Sequence, residues 1–202
     1  LLSGDPATGL PSMRGKIDLI YIDPPFDSKA DYRTKINLPN GDIEQKPTVL
    51  EQFAYSDTWA DGTVSYLKML YPRLCLMREL LSDQGSIYVH VDATCGHYVK
   101  IILDEIFGKE NFQREIIWRI GWLSGYKTAA KNWIRNHDII FFYTKDRNNF
   151  IFNKEYIPYP DDYVRRDGKK PEGQGYPIED TWNCSDLDRL NSIQIMSFSS
   201  EK

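Results

Sequence analysis

The clearest pattern along the chain is a series of short apolar runs separated by polar stretches and by segments of helical period. Lys16-Ile17-Asp18-Leu19-Ile20-Tyr21-Ile22 is nearly continuous in apolar residues and stops at Asp23-Pro24-Pro25. Such a run predicts a strand buried on both faces, as in a parallel sheet. Two adjacent prolines have no N–H to give to a ladder, so the strand ends there. Residues 27–60 are polar, carry the turn signal Pro39-Asn40-Gly41-Asp42, and read as one long loop. Loops of that length in compact domains are usually functional or disordered. Leu67, Leu70, Tyr71, Leu74, Met77 and Leu81 recur every three or four residues and predict a helix over roughly 63–81. Pro72 is expected to kink it or divide it in two.

Asp83-Gln84-Gly85 then marks a turn, and Ser86-Ile87-Tyr88-Val89-His90-Val91 the next strand. Over 96–107, Tyr98, Ile101, Ile102, Glu105 and Ile106 fall on one helical stripe, and Gly108 suits the position just past the helix end. Glu115-Ile116-Ile117-Trp118 and Asp138-Ile139-Ile140-Phe141-Phe142-Tyr143 predict two more strands. Strands alternating with helices imply an α/β sheet with crossover connections. Beyond residue 150, Pro158, Pro160, Pro171 and Pro177 alternate with charge and glycine, so that part is expected to be loop-rich.

Composition changes this picture little. The 202 residues suffice for one sizeable domain or part of a larger one. No apolar run approaches the length of a membrane span, and the first residues lack the pattern of a secretory signal. Three scattered cysteines provide neither a disulfide framework nor a four-ligand zinc site, and Cys95-Gly96-His97 reads as a buried thiol at a helix start. The expectation is a soluble cytoplasmic protein with no metal and no membrane partner. Charge is uneven: residues 113–170 hold 12 Lys/Arg against 7 Asp/Glu, a net +5 within a chain of net −4. That fits one DNA-facing surface and equally fits chance clustering on a solvated surface.

Ligands of open α/β sheets sit beyond the carboxyl ends of the strands, where the first clear strand carries Asp23-Pro24-Pro25-Phe26. Taken alone, the four residues fit a rigid exit turn as well as a reactive site. With the preceding Asp18-Leu19-Ile20-Tyr21-Ile22 they resemble the catalytic signature of the amino-group DNA methyltransferases. Tyr55-Ser56-Asp57-Thr58-Trp59, the 66–81 helix, Gly85 to Asp92, Leu103 to Gly108 and Asn136 to Ile140 resemble the family's following segments in order. The likeness runs from about residue 1 to 153 and extends to enzymes of restriction–modification systems, including the type III kind.

That resemblance implies a partial Rossmann-like methyltransferase sheet with flanking helices and a loop-rich target-recognition segment. It divides the chain into a catalytic part (1–112), remaining strands with a DNA-contacting insertion (113–153) and a target-recognition or linker segment (154–202). It implies S-adenosylmethionine as cofactor and double-stranded DNA as partner, with a restriction or specificity subunit as a further candidate. The implied catalytic residues are Asp23, Pro24, Pro25 and Phe26. An exocyclic amine is a poor nucleophile because its lone pair is delocalised into the ring. The Asp23 carboxylate and the Pro24 carbonyl accept its two N–H groups and favour the tetrahedral transition state, while Phe26 stacks on the extruded base. Adenine N6 is implied ahead of cytosine N4, since Asp at this position is commoner among the former.

Asp5, Asp23, His90 and Asp92 are the cofactor candidates. For Asp5 a simple turn is an equal reading, and for His90 and Asp92 the alternatives are a satisfied histidine and a helix-capping aspartate. Arg119, Lys127, Lys131 and Arg135, interleaved with Trp118, Trp122, Tyr126 and Trp133, are the DNA-contact candidates; His137 is open to both a DNA-contact and a structural reading. The family's Phe-x-Gly-x-Gly cofactor turn is missing. Gly173-Gln174-Gly175 has its spacing but no preceding strand. The chain therefore looks truncated before that motif, and unaided methylation is not expected. Methylation of RNA or of a protein amide, and a non-catalytic DNA-binding module of the same fold, are the competing readings.

Overall fold

The computed structural model describes residues 2–24, 34–38, 41–45, 62–120, 129 and 131–183. Strand β1 (Ile17–Ile22) leads, past a small antiparallel pair β2 (Thr34–Leu38) and β3 (Gly41–Gln45), into helix α1 (Thr63–Leu80). Strand β4 (Leu81–Val91), helix α2 (Gly96–Phe107), β5 (Phe112–Arg119) and β6 (His137–Thr144) follow. Two short strands, β7 (Tyr156–Ile157) and β8 (Tyr176–Pro177), pair with each other, and β9 (Thr181–Asn183) returns to the main sheet. The main sheet has the order β1-β4-β6-β5-β9. β4 is parallel to β1 and β9 to β5, whereas β6 is antiparallel to both of its neighbours. The unit β1–α1–β4 is thus a parallel crossover of the Rossmann type.

Both helices pack on one face of the sheet. Tyr66, Leu70 and Leu74 of α1 and Val99, Leu103 and Phe107 of α2 close over Ile87, Val89 and Val91 of β4 and Ile139, Phe141 and Tyr143 of β6. The face of β1 that meets them carries Ile20 and Ile22. Leu19 and Tyr21 point the other way and stay 63% and 57% exposed, so β1 is buried on one face among the described residues, not on both. Continuous apolarity does not reveal how many layers will cover a strand.

Four further expectations change. Residues 34–45, read as loop, form the β2–β3 pair; Leu38 pairs with Gly41, and the two residues between lie outside the described set. Pro72 does not divide α1, which runs unbroken past it. The following residue, Arg73, folds its side chain back along the helix and donates from Nη1 to the Met69 carbonyl at 2.6 Å. Asp83-Gln84-Gly85 is an irregularity inside β4 rather than a turn before it. The register with β1 jumps from Ile17↔Leu81 to Leu19↔Ser86, and the Gly85 and Gln84 carbonyls accept from the amides of Lys145 and Ile151. The buried stripe of α2 is Gly96, Val99, Leu103 and Phe107; Tyr98 and Ile101 of the expected stripe are 53% and 66% exposed. Two overlapping apolar stripes on one helix leave periodicity undecided between them. Gly108 ends α2 as expected, with φ +87° and its N–H on the Asp104 carbonyl.

Polar ties finish the core. Lys145 Nζ donates to the Arg78 carbonyl at 2.6 Å and satisfies an acceptor orphaned at the end of α1. Buried Tyr143 donates to Asp104 Oδ1 at 2.6 Å, and Lys100 Nζ holds the other carboxylate oxygen at 2.7 Å. Burial pushes Asp104 up, but these bonds outweigh it and its carboxyl stays below the usual value, while burial and the Asp104 bond hold the Tyr143 phenol far above its own. Tyr143→Phe is therefore expected to lose about 1–2 kcal/mol of stability, read from denaturant midpoints at unchanged slope.

Candidate active site

Asp23 owes its position to the register of β1 against β4. The ladder reaches Ile22↔Val89, so Asp23 emerges beside His90 at the carboxyl end of both strands. Strand alternation puts Tyr21 and Asp23 on the face opposite Ile20 and Ile22. Along β4 the same rule puts His90 on that face with Tyr88, and along β6 it puts Asp138 there with Ile140 and Phe142. That face, on which no helix packs among the described residues, thus carries an apolar floor, with Tyr88 stacked on Phe142 at 4.5 Å and Leu19, Tyr21, Ile140, Ile151, Phe152 and Trp182 lining a groove. A polar cluster stands at the groove's end.

That cluster is a chain of charges. His90 Nδ1 lies 3.1 Å from the Tyr21 hydroxyl and 3.7 Å from Asp23 Oδ1, and its Nε2 lies 3.7 Å from Asp138 Oδ2. Arg135 Nη2 is 3.6 Å from Asp138 Oδ1, and Arg135 Nη1 donates to Asp92 Oδ2 at 2.8 Å. The side chains of His90 and Asp138 are only 13% and 12% exposed, while that of Asp23 is 54% exposed. Burial pushes the Asp23 carboxyl above the usual value; His90 opposes the shift and the Asp138 charge adds to it. Burial also acts upward on Asp92, but hydrogen bonds from Thr94 and Arg135 win and hold it below the usual value.

The sequence-derived residues divide on this frame. Asp23 and Pro24 sit where the strand edge is open, whereas Pro25, Phe26, Lys127, Trp122 and Tyr126 lie outside the described residues. Asp92 is 5% exposed and, besides Arg135, accepts from the Thr94 amide at 2.9 Å and the Thr94 hydroxyl at 2.8 Å, just ahead of α2. Asp5 closes a turn, accepting from the Ala7 amide at 3.0 Å and the Thr8 hydroxyl at 2.8 Å. Arg119, Lys131 and Trp133 are exposed, Trp133 at 98%. Trp118 packs instead against the floor formed by Ile116, Ile140 and Phe142. Gly175, at φ +148°, is required by close packing, since a Cβ there would meet the Ile157 carbonyl oxygen at 2.0 Å. Two members of the cluster, Tyr21 and Asp138, escaped the sequence reading. Tyr21 had a signal, because it precedes Asp23 by the two residues that put side chains on one face. Asp138 had only its position at the start of an apolar strand.

The model of the DNA methylase family, covering N6 and N4 methyltransferases, matches residues 17–201. The chain belongs to that family. The chain is 26% identical over 147 residues to the EcoP15I Mod subunit, a type III restriction-modification enzyme of Escherichia coli, covering 67% of this chain and 22% of the relative. It is 30% identical over 166 residues to the type II methyltransferase M.EcaI of Enterobacter cloacae, covering 79% and 31%. The StyLTI Mod subunit of Salmonella typhimurium is 27% identical over 175 residues, covering 80% and 26%. The chain thus spans 22–31% of the length of these curated relatives. A solved structure, the M1.HpyAVI–SAM complex, aligns with TM-score 0.37 and 16% identity, covering 74% of this chain and 53% of that one. Among the described residues no helix is long and apolar enough to cross a membrane.

The depressed Asp92 carboxyl ties the stability of the fold to pH. A carboxyl held below its unfolded value of 3.8 contributes stability that is present above that pH and lost as pH falls through the folded value. Asp92→Asn is expected to lower the unfolding midpoint at pH 7, and the gap to wild type should close below about pH 4 in urea titrations.

Proposed function

We propose that this chain forms the amino-group-binding part of a DNA methyltransferase that modifies an exocyclic base amine, adenine N6 in the first instance. The observation carrying the proposal is the Asp23-Pro24 pair: it stands beyond the last rung of a parallel crossover, within the family-matched segment, with its carboxylate half exposed at the sheet's carboxyl edge. Asp23 accepts one N–H of the target amine and the Pro24 carbonyl, outside the ladder, accepts the other. Both bonds strengthen as the nitrogen becomes tetrahedral, so they lower the barrier more than they tighten substrate binding. The fixed φ of Pro24 holds its part of the arrangement without further ordering.

The methyl donor implied by the family, S-adenosylmethionine, supplies an electrophilic methyl group on a sulfonium. Tested against that group, the four candidate residues separate. Asp23 presents a half-exposed carboxylate at the edge and is suited to face a cation. Asp92 is committed to Thr94 and Arg135, and Asp5 to its own turn. His90 faces Tyr21, Asp23 and Asp138 rather than the open edge. Asp23 alone of the four therefore carries the proposal toward the cofactor.

For DNA, the exposed Arg119, Lys131 and Trp133 support a phosphate- and base-contacting role for residues 113–153, and the target-recognition role of 154–202 is proposed with it. Arg135 is 43% exposed but has two internal carboxylate partners, so its proposed phosphate contact draws on a guanidinium already shared. A duplex-DNA substrate and a restriction subunit as partner complete the proposal.

The test follows transfer of labelled methyl from S-adenosylmethionine to DNA by the complete reading frame. Wild type is expected to form N6-methyladenine, and Asp23→Ala to lower kcat by about 10²–10³-fold, the usual loss of one preorganised electrostatic partner. Activity should fall in acid as Asp23 takes up a proton, with a midpoint above 3.8. N4-methylcytosine as product would keep the chemistry and change the base; no transfer to DNA from folded protein would overturn the reading.

A further inference from the structure

We propose that His90 is the positioning residue of Asp23, spanning the carboxylates of Asp23 and Asp138 so that the reactive carboxylate is held in one orientation. The proposal rests on the reading of Asp23 as the acceptor of the target amine. His90 was a cofactor candidate by sequence, but both of its ring nitrogens face protein groups and its side chain is 13% exposed.

The geometry supports more than a satisfied core histidine. Asp23 leaves the sheet one residue past the last β1–β4 rung, with 54% of its side chain exposed and two rotatable bonds to restrain. The structure brings His90 Nδ1 to 3.7 Å from its Oδ1 from the neighbouring strand. Every group that fixes the ring comes from a different element. The Tyr21 hydroxyl on β1 meets Nδ1 at 3.1 Å, and the Asp138 carboxylate on β6 faces Nε2 at 3.7 Å. Asp138 is steadied in turn by Arg135, in the segment before β6, and Arg135 is tied to Asp92 beyond the end of β4. Among the described residues, the charged and titratable groups facing the imidazole include Tyr21, Asp23 and Asp138, with Arg135 and Asp92 behind them. Signs alternate along the chain from Asp138 through Arg135 to Asp92, so it stores little repulsion. Two carboxylates, Asp23 and Asp138, flank one imidazole. Without the ring they would face each other's field across a partly buried gap, which favours protonation of the one that must stay charged.

The experiment measures methyl transfer to DNA by the complete reading frame as wild type, His90→Ala, His90→Asn and Asp23→Ala, with thermal unfolding of each. His90→Ala is expected to lower kcat by about 10- to 100-fold, the scale of a misplaced reacting group, with both KM values changed less than about twofold. The acid limb of its pH profile should move to higher pH, because Asp23 loses the group that opposes its protonation. His90→Asn, with a polar atom near the place of Nδ1 but no charge, should recover most of kcat and keep the displaced acid limb. Should His90→Ala fail to fold, the displaced limb in His90→Asn carries the test. Unchanged kcat and pH profile overturn the proposal. So does a raised KM for S-adenosylmethionine at constant kcat, which makes His90 a cofactor contact. Equal losses in both variants that track a lower unfolding midpoint, with the acid limb unmoved, also overturn it and leave a structural histidine. If Asp23→Ala still methylates, the reading of Asp23 fails first and takes this one with it; active wild type, dead Asp23→Ala and indifferent His90 variants sink His90's role alone.

Discussion

The parallel pairing of β1 with β4 is the constraint on which the rest depends. Its register determines which residue of β4 stands beside the end of β1, and a slip of one position would exchange the two faces of β1. With Ile22 opposite Val89, Ile20 and Ile22 enter the core under the helices while Tyr21 and Asp23 reach the opposite face beside His90. The same pairing fails between Leu81 and Ser86, where three extra residues of β4 are absorbed before the regular ladder begins. That irregularity lets the chain leave α1 and enter the sheet without displacing the Ser86-to-Val91 register.

The two faces of the sheet do different work. On one, α1 and α2 close a core in which Tyr143 places its hydroxyl on Asp104, so that this buried phenol is satisfied. On the other, an aromatic floor runs up to the chain of charges that begins at Asp23. β6 links the two, with Ile139, Phe141 and Tyr143 facing the helices and Asp138, Ile140 and Phe142 facing the groove. Because β6 is antiparallel, its beginning lies at the carboxyl end of β4, and Asp138 arrives where His90 can meet it.

The charges of this site constrain one another. Asp92 looked from sequence like either a cap or a ligand, and it is a cap-like acceptor that also anchors Arg135. Arg135 looked like a phosphate contact, and much of its guanidinium is engaged with Asp92 and Asp138. Asp23 differs from both: it is half exposed, lies at a strand edge and has a carboxyl raised by burial. Of the two carboxylates, Asp23 is the one left half open to solvent.

Much of this was legible along the chain. The apolar runs at 17–22, 86–91, 115–118 and 138–143 locate the main-sheet strands, and the 63–81 spacing locates a helix, because burial on a pleat or a helical stripe demands those periods. The short strand β9 carried no such signal. Asp23-Pro24-Pro25 marked the end of the first strand, because proline cannot extend a ladder. What the chain could not reveal is which face each element buries. Two stripes compete on α2, and the continuous run of β1 is silent about how many layers cover it. The pairing of residues 34–45 was hidden by their polarity. The His90–Asp138 and Arg135–Asp92 meetings depend on β6 being inserted between β4 and β5. That insertion is a tertiary event, set by the packing of one face against two helices, and local spacing carries no trace of it.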